Sequence, residues 1–389
     1  MFASVPRTLG AHELKLRLAT GGQAEIWLAE ARGPGGLSRR VALKVLQPQL
    51  RDHPDARRAL MAEARLLAQC DHPNLLNMLT FGEDDGLLYI ATPLLWGRSL
   101  VTLMQRARQT PYFGLPEVLW IGQALFGALE HLRTLRHPYN GALGVVHHDV
   151  TPENVVVTYG GQLKLIDLGI ATAAGEWPRT RAGHLQGKLA YLAPEHFQGG
   201  RAPDHRSDLY AGGLVLYYLA TGQEALGPEG WSAPRPPLLT SPDQLADLPH
   251  DLTRLLHALL DPDPARRPTQ GREVSRRLNM MLHRFAPGYD LFTFADNIQA
   301  ILEHERRRDD DLLASLNART DLIPNPDALA ASTSIELPAA TPPPERTPPH
   351  GRPLRTTPRM LDESTQADLS SGPTTLIEGR VDSTAEDID

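Results

Sequence analysis

The chain has almost no cysteine, no long apolar run and no excess of positive charge, and each shortage excludes something. A single thiol, Cys70, among 389 residues rules out an internal disulfide and any cysteine-built zinc centre, and it fits a reducing compartment. Cys70 ends the apolar run "ARLLAQC" and reads as a small buried hydrophobe. No window approaches ~18 uninterrupted apolar residues, and the opening "MFASVPRTLGAHELKLR" has no apolar core of signal-peptide length. A cytoplasmic protein without a membrane partner is expected. A formal net charge of -7 gives no sign of a surface for nucleic acid. What is present is ordinary globular material: 41% hydrophobic and 22% charged residues, enough for a large core, on a chain long enough for two or three units.

Character changes three times along the chain. From Glu13 to about Leu50, short apolar runs ("EIWLAEA", "RVALKVL") alternate with the Gly-rich turns "TGG" and "GPGG", which predicts hairpin-connected strands. "PDARRALMAEARLLAQ" has helical spacing and no internal proline, and strands are expected again in "LLNMLTFGE" and "LLYIATPLL". After Gly97 the segments are long and helical, as in "VLWIGQALFGALEHLRTLR" and "LYAGGLVLYYLAT". Residues 286–316 still read as helical, amphipathic first and heavily charged after. Beyond about Asp321 the chain is rich in Pro, Thr and Ser and poor in aromatics. It cannot bury enough apolar surface to offset chain entropy, so disorder is expected.

The chemistry concentrates in "GVVHHDVTPENVVV", where polar groups interrupt a run of core-like valines. Asp149 and Asn154 stand five positions apart, and "LKLIDLGIA" brings Asp167 at the end of an apolar strand. Acid and amide oxygens on neighbouring loops suit a divalent cation shared with a phosphate ligand, because magnesium takes few protein oxygens. Upstream, "LATGGQAEIWLAE" supplies a glycine turn and "VALK" puts Lys44 on a strand. Alone, a Gly-rich turn is more often just a hairpin and a strand lysine more often a solvated side chain.

Their order is what carries information: glycine turn, "VALK", a helical Glu63, "HHDVTPEN", "DLG", then "APE" at Ala193 to Glu195. Over about residues 12–284 the chain resembles the protein kinase superfamily, most closely the bacterial eukaryotic-like serine/threonine kinases. The resemblance implies an α+β, bilobal fold, with a small β-rich N-lobe (about 12–93) holding one key helix and a larger α-helical C-lobe (about 97–284). A helical extension (285–320) and a disordered tail (321–389) would follow, after a short lead (1–11). It implies ATP and Mg2+ as cofactors and protein hydroxyls as substrates. Lys44 would grip the α- and β-phosphates with Glu63 as its ion-pair partner, and Asp149 would be the catalytic aspartate that orients the substrate hydroxyl and accepts its proton. Asn154 and Asp167 would bind metal. His147 and Leu168 match packing positions, Asp208 a buried brace of the catalytic loop, and Glu195 and Arg267 a structural ion pair. Around the nucleotide, Ala19, Gly21, Gly22 and Ala24 form the phosphate turn. Ile26 and Ala42 above and Val156 below would sandwich adenine, Thr92 would be the gatekeeper, and Leu94 lies in the hinge "PLLWG".

Four departures from the family pattern stand out. Of the usual three glycines only Gly21 is kept, with Ala19 and Ala24 at the flanks, which predicts a modestly weaker nucleotide grip. The residue before Asp149 is His148, where kinases switched on by loop phosphorylation carry arginine. A mostly neutral imidazole is no phosphate clamp, so activity is expected not to depend on phosphorylating Thr172 or Thr180. The catalytic-loop lysine is replaced by Thr151, and a threonine of the substrate-side segment "GKLAYLAPE" is replaced by Lys188. The last two read as one exchange, in which Lys188 delivers the positive charge from the opposite wall.

An active kinase is the leading reading. A pseudokinase acting as a nucleotide-binding scaffold stays open, on the strength of the altered glycines, His148 and Thr151. A small-molecule phosphotransferase would not be expected to carry "GKLAYLAPE", Asp208 and Arg267. In the tail, Thr341, Thr347 and Thr357 each precede proline, and Thr375 and Thr384 lie near the acidic end. If phosphorylated they would suit a phosphothreonine-reading partner; a plain solvated linker is the other reading.

Overall fold

A computed structural model describes residues 8–33, 37–137, 141–142, 144–168, 190–197, 203–223, 245 and 247–318. The proposed tail, Lys188, Gly169, Thr172 and Thr180 lie outside these residues.

The N-terminal part is one antiparallel sheet built from β1 (Thr8–Leu9), β2 (His12–Thr20), β3 (Ala24–Arg32), β4 (Ser38–Leu46), β5 (Thr80–Asp84) and β6 (Leu87–Pro93), in the order β1-β2-β3-β4-β6-β5. Directly paired residues in such a sheet share a face. The register pairs Ile26 with Lys44, Lys44 with Ile90, and Ala42 with Thr92, which sets these side chains on one face. Trp27, Ala29, Val41, Leu43, Val45, Tyr89 and Ala91 alternate onto the other, where they form a small apolar cluster of their own with Leu9 and Leu14. One face of the sheet is therefore closed by its own packing, and the face carrying Lys44 is turned to the rest of the molecule.

Part of that second face is covered by α1 (Pro54–Leu67), which starts at a proline after His53, whose ring accepts from Ala56 N. Its buried Ala56, Leu60, Ala64 and Leu67 recur at helical spacing and join Leu46, Leu88 and Ile90 of the sheet in the main core. The expected strand in "LLNMLTFGE" is shorter than the apolar pattern suggested, since only Thr80–Asp84 is strand. Leu75 instead bridges Leu165, and Leu76 N donates to Leu165 O at 3.1 Å, so these residues tie the two lobes together.

β7 (Gly97–Ser99) leads from the hinge into the larger lobe, whose main helices are α2 (Leu100–Ala107), α3 (Leu115–Thr134), α4 (His205–Thr221), α5 (His250–Leu259) and α6 (Gly271–Phe285). A two-stranded ribbon, β8 (Arg136–His137) with β9 (Gly141–Ala142), follows α3. β10 (Val155–Thr158) and β11 (Leu163–Leu165) form a second sheet in the order β11-β10-β7. α3 is central: Leu119, Ile121, Phe126, Ala128 and Leu132 are wholly buried. Where α6 starts, a Cβ at Gly271 would lie 2.6 Å from Phe126 O, so only glycine allows so close a crossing.

Two more helices, α7 (Leu291–Ile301) and α8 (Glu303–Ala318), extend the large lobe. Phe294, Ile298 and Leu302 are fully buried, and Trp120 of α3 stacks on Phe294 at 5.6 Å. Glu117 of α3 accepts from the Tyr289 hydroxyl (2.6 Å) and from the Asn297 amide (2.7 Å). Among the described residues no helix is long and apolar enough to cross a membrane.

Candidate active site

On the open face of the first sheet, Lys44 is held by two acids. Its Nζ donates to Glu63 Oε1 of α1 at 2.6 Å and to Asp167 Oδ1 at 3.2 Å. Burial pulls the ammonium toward neutrality, but Asp167 and Glu63 outweigh it and hold Lys44 protonated above its usual range. Burial pushes the Glu63 carboxyl up, against the pull of Lys44. The site thus presents a fixed positive charge between Glu63 and Asp167.

The glycine turn caps this face. Gly21 N donates to Ala24 O at 2.8 Å, closing the turn between β2 and β3 with Gly21 and Gly22 exposed at its tip. Ala24 is buried and Ala19 exposed, so neither alanine methyl blocks the turn. Gln47, which sequence reasoning did not single out, anchors the turn from below, through its Nε2 to Gly21 O (2.6 Å) and its N to Gln23 O (2.9 Å). Ile26, Ala42 and Val156 are each only half-buried, while their strand neighbours Leu43, Val155 and Val157 are fully buried. They are apolar surface left uncovered beside the hinge, where a flat apolar ring would recover the lost contacts. Thr92 is buried, its hydroxyl directed at Ala42 O (3.5 Å), and Leu94 beside it is half-buried.

The loop before β10 is fixed by two buried groups. Asp208 near the start of α4 accepts from His147 N (2.6 Å) and His148 N (2.9 Å). Burial raises its carboxyl to about 7 against those two amides, which favour the anion. His147 is wholly buried and its Nε2 lies 3.2 Å from Ile166 O, joining this loop to the segment that carries Asp167, which follows β11 rather than ending the strand. His148 (φ 63°) and Asp167 (φ 54°) both sit in the left-handed region, a strained backbone kept where the surrounding bonds enforce it. Asn154 Nδ2 donates to both Asp149 O and Asp149 Oδ2 at 2.8 Å, which aims the Asp149 carboxylate. Ile166 N donates to Asn154 O at 2.9 Å, so Asn154 and Asp167 stand side by side. Leu168 is buried behind them.

His148 itself is held neutral. Burial, with His196 and His147 beside it, pushes its imidazole down to about 4, and the His196 ring meets it edge-on at 6.3 Å. His196 had no signal in the sequence. Thr151 is buried, and its hydroxyl has no hydrogen-bond partner among the described residues. On the substrate side Arg267 donates to both oxygens of Glu195 (2.7 and 2.8 Å), and Ser207 Oγ adds a bond to Glu195 at 2.6 Å. The structure thus brings Lys44, Glu63 and Asp167 together, pairs Asp149 with Asn154, and joins Glu195 to Arg267; Lys188 lies outside the described residues.

Several known proteins resemble this chain. The family described as "Protein kinase domain" matches residues 29–282. The chain is 37% identical over 213 residues to the tyrosine-protein kinase MasK of Myxococcus xanthus, covering 54% of this chain and 33% of that protein. It is 31% identical over 276 residues to the serine/threonine-protein kinase PknA of Mycobacterium tuberculosis, covering 67% and 59%. With the serine/threonine-protein kinase PrkC of Bacillus subtilis it shares 30% over 217 residues, covering 56% and 31%. The chain therefore spans between 31% and 59% of the length of these three relatives. A crystal structure of the PknI kinase domain of Mycobacterium tuberculosis superimposes with a TM-score of 0.51 at 30% identity, over 70% of this chain and 97% of that one. The chain belongs to the protein kinase family, among its bacterial eukaryotic-like serine/threonine members.

Proposed function

We propose that this protein is an active serine/threonine kinase that transfers the γ-phosphoryl group of ATP to protein hydroxyls, its own included. The observation that carries the reading is Lys44 Nζ seated between Glu63 (2.6 Å) and Asp167 (3.2 Å), beside an Asp149 carboxylate already aimed by Asn154. A scaffold needs neither the acid nor its orienting amide. In this reading residues 12–284 are the kinase domain, 285–320 its helical extension and 321–389 a tail, in a cytoplasmic protein.

Asp149 receives the proton of the acceptor hydroxyl as that oxygen bonds to the γ-phosphorus, and the bond from phosphorus to the β–γ bridging oxygen breaks, releasing ADP. Lys44 neutralises the α- and β-phosphates, and Gly21 and Gly22 let the backbone approach them. Ile26, Ala42, Val156, Thr92 and Leu94 enclose the adenine. Asn154 and Asp167 offer adjacent hard oxygens, a donor set that fits Mg2+, which when bound offsets phosphate charge. Catalysis is mostly positioning and electrostatics.

The test is label transfer from γ-labelled ATP and magnesium with the full chain, followed by identification of the labelled residue. Phosphoserine or phosphothreonine is expected, and chelation of magnesium should abolish it. Phosphotyrosine, the acceptor that the name MasK brings to mind, would overturn the acceptor class, and ATP binding without transfer would leave the scaffold.

Two regulatory features belong to the same reading. Lys188 supplies the charge that Thr151 cannot; what supports this is the exchange of lysine and threonine between "HHDVTPEN" and "GKLAYLAPE" in the sequence. Lys188→Ala is expected to lower kcat by roughly ten- to a thousandfold, as loss of a transition-state charge partner does, and turnover at the wild-type rate would remove the proposal. A neutral His148 cannot bind a phosphorylated loop. The Thr172→Ala, Thr180→Ala double variant should therefore keep activity within about threefold of wild type in steady-state assays; a large loss would mean that another cation reads the loop. The tail threonines, if phosphorylated, would recruit a phosphothreonine-reading partner, which pull-down with and without ATP would detect.

A further inference from the structure

The last described helix braces the hinge from outside, through groups with no part in the chemistry above. Asp309 of α8 accepts two bonds from the Arg98 guanidinium (2.8 and 2.7 Å) and one from the Tyr159 hydroxyl (2.7 Å). One turn earlier, Glu305 Oε1 accepts from Arg106 Nε of α2 at 2.6 Å. The Arg98–Asp309 pair is not a surface pair, for its side chains are only 24% and 16% exposed. Arg98 also donates to the hinge carbonyl of Gly97 (2.8 Å) and lies over the Tyr159 ring at 5.8 Å. Burial, and Asp309 beside it, keep the Tyr159 hydroxyl protonated far above its usual range, so it remains a donor.

What the brace grips is the floor of the nucleotide site. Arg98 lies in β7, opposite Val157 of β10, and Ser99 lies opposite Val156. Tyr159 N donates to Trp96 O at 2.8 Å, and a Cβ on Gly97 would lie 2.1 Å from Val157 O. β10 starts directly after Asn154 and carries Val156. β7 is therefore tied to β10 by the ladder, and Asp309 holds both Arg98 of β7 and Tyr159 just beyond β10. α8 does not need Asp309 for itself: its own i,i+4 pairs are Glu303 with Arg307 and Arg306 with Asp310. A planar, bidentate arginine–carboxylate pair fixes distance and angle better than any single bond, which is what a positioning contact requires.

We infer that Asp309 is a positioning residue for the nucleotide: by holding Arg98 and Tyr159 together it sets the spacing of hinge and β10, and so the width of the slot between Val156 and the Ile26–Ala42 face. The inference rests on the nucleotide-site reading above. It also makes the extension helix part of the ATP site's support.

The experiment is steady-state kinetics of the full chain, with ATP and protein acceptor varied separately, for wild type, Asp309→Ala and Tyr159→Phe, each at a temperature where thermal unfolding shows it folded. Asp309→Ala should raise KM for ATP about tenfold, with kcat and KM for the acceptor within about twofold of wild type. Tyr159→Phe, which loses one hydroxyl, should shift KM for ATP in the same direction by less. The double exchange Arg98→Asp with Asp309→Arg should recover part of the loss, as a purely structural role of either residue alone would not predict. Should Asp309→Ala fail to fold, Tyr159→Phe decides. An active wild type whose variants keep its KM for ATP, or lose kcat and acceptor KM in equal measure, overturns the inference; an inactive wild type instead overturns the kinase reading and the inference with it.

Discussion

Asp149→Ala is expected to lower kcat by ~10²- to 10⁴-fold, the usual worth of a positioned general base, while ATP affinity stays close to wild type. The split follows from the geometry. Asp149 is held by Asn154 through its backbone and side-chain oxygens, whereas the charge proposed to meet the phosphates is on Lys44, seated between Glu63 and Asp167. Removing Asp149 leaves that charge in place. Label-transfer rates with calorimetric ATP binding on the same protein separate the two quantities. A variant that turns over at the wild-type rate would show that the hydroxyl needs no base here, and one that loses ATP binding would show that Asp149 organises the whole loop.

Arg267→Ala should cost about 3–5 kcal/mol of unfolding free energy, the range for breaking a buried ion pair by removing one partner. The Arg267 side chain is fully buried, against 10% exposure for its partner Glu195. Besides both Glu195 oxygens it bonds the carbonyls of Asp261 (2.7 Å), Arg206 (3.1 Å) and Pro262 (3.2 Å), and it lies 4.6 Å from the centre of the Tyr210 ring. Truncation would strand three carbonyls and most of a carboxylate without water. Arg267→Lys should recover little, because an ammonium cannot span the same fork. Denaturant titration measures both; a loss below ~1 kcal/mol in the alanine variant would mean that the segment holding Glu195 relaxes and rehydrates.

Much of the candidate site's arrangement was legible because the family it resembles carries fixed residue types in a fixed order. Lys44, Glu63, Asp149, Asn154 and Asp167 are each common alone; the succession from glycine turn to "APE" is what narrowed the reading, and the hydrogen bonds among them follow that succession. Strands and helices were legible from apolar spacing, except where a tertiary contact competed, as at Leu75, which bonds across to β11 rather than lengthening β5. Contacts that depend on where two elements come to rest left no trace. Gln47 under the glycine turn and His196 against His148 are such contacts. So is Asp309: "RRRDDD" reads only as the heavily charged part of a helix, and the rotational phase of α8 against β7 turns that acid toward Arg98 while Asp310 pairs within the helix.

The brace on the hinge joins residues 211 positions apart. A chain made from its N-terminus presents Arg98 and the whole first sheet long before Asp309 leaves the ribosome, and at ~5–20 residues per second the interval from Arg98 lasts about 10–40 s. The first sheet and α1 can close in that time, but the outer support of the hinge cannot. On the reading proposed above, the nascent protein therefore passes through a stage in which Lys44, Asp149 and Asp167 are present and β7 is not yet braced from α8, and full affinity for ATP is expected only once α8 has docked.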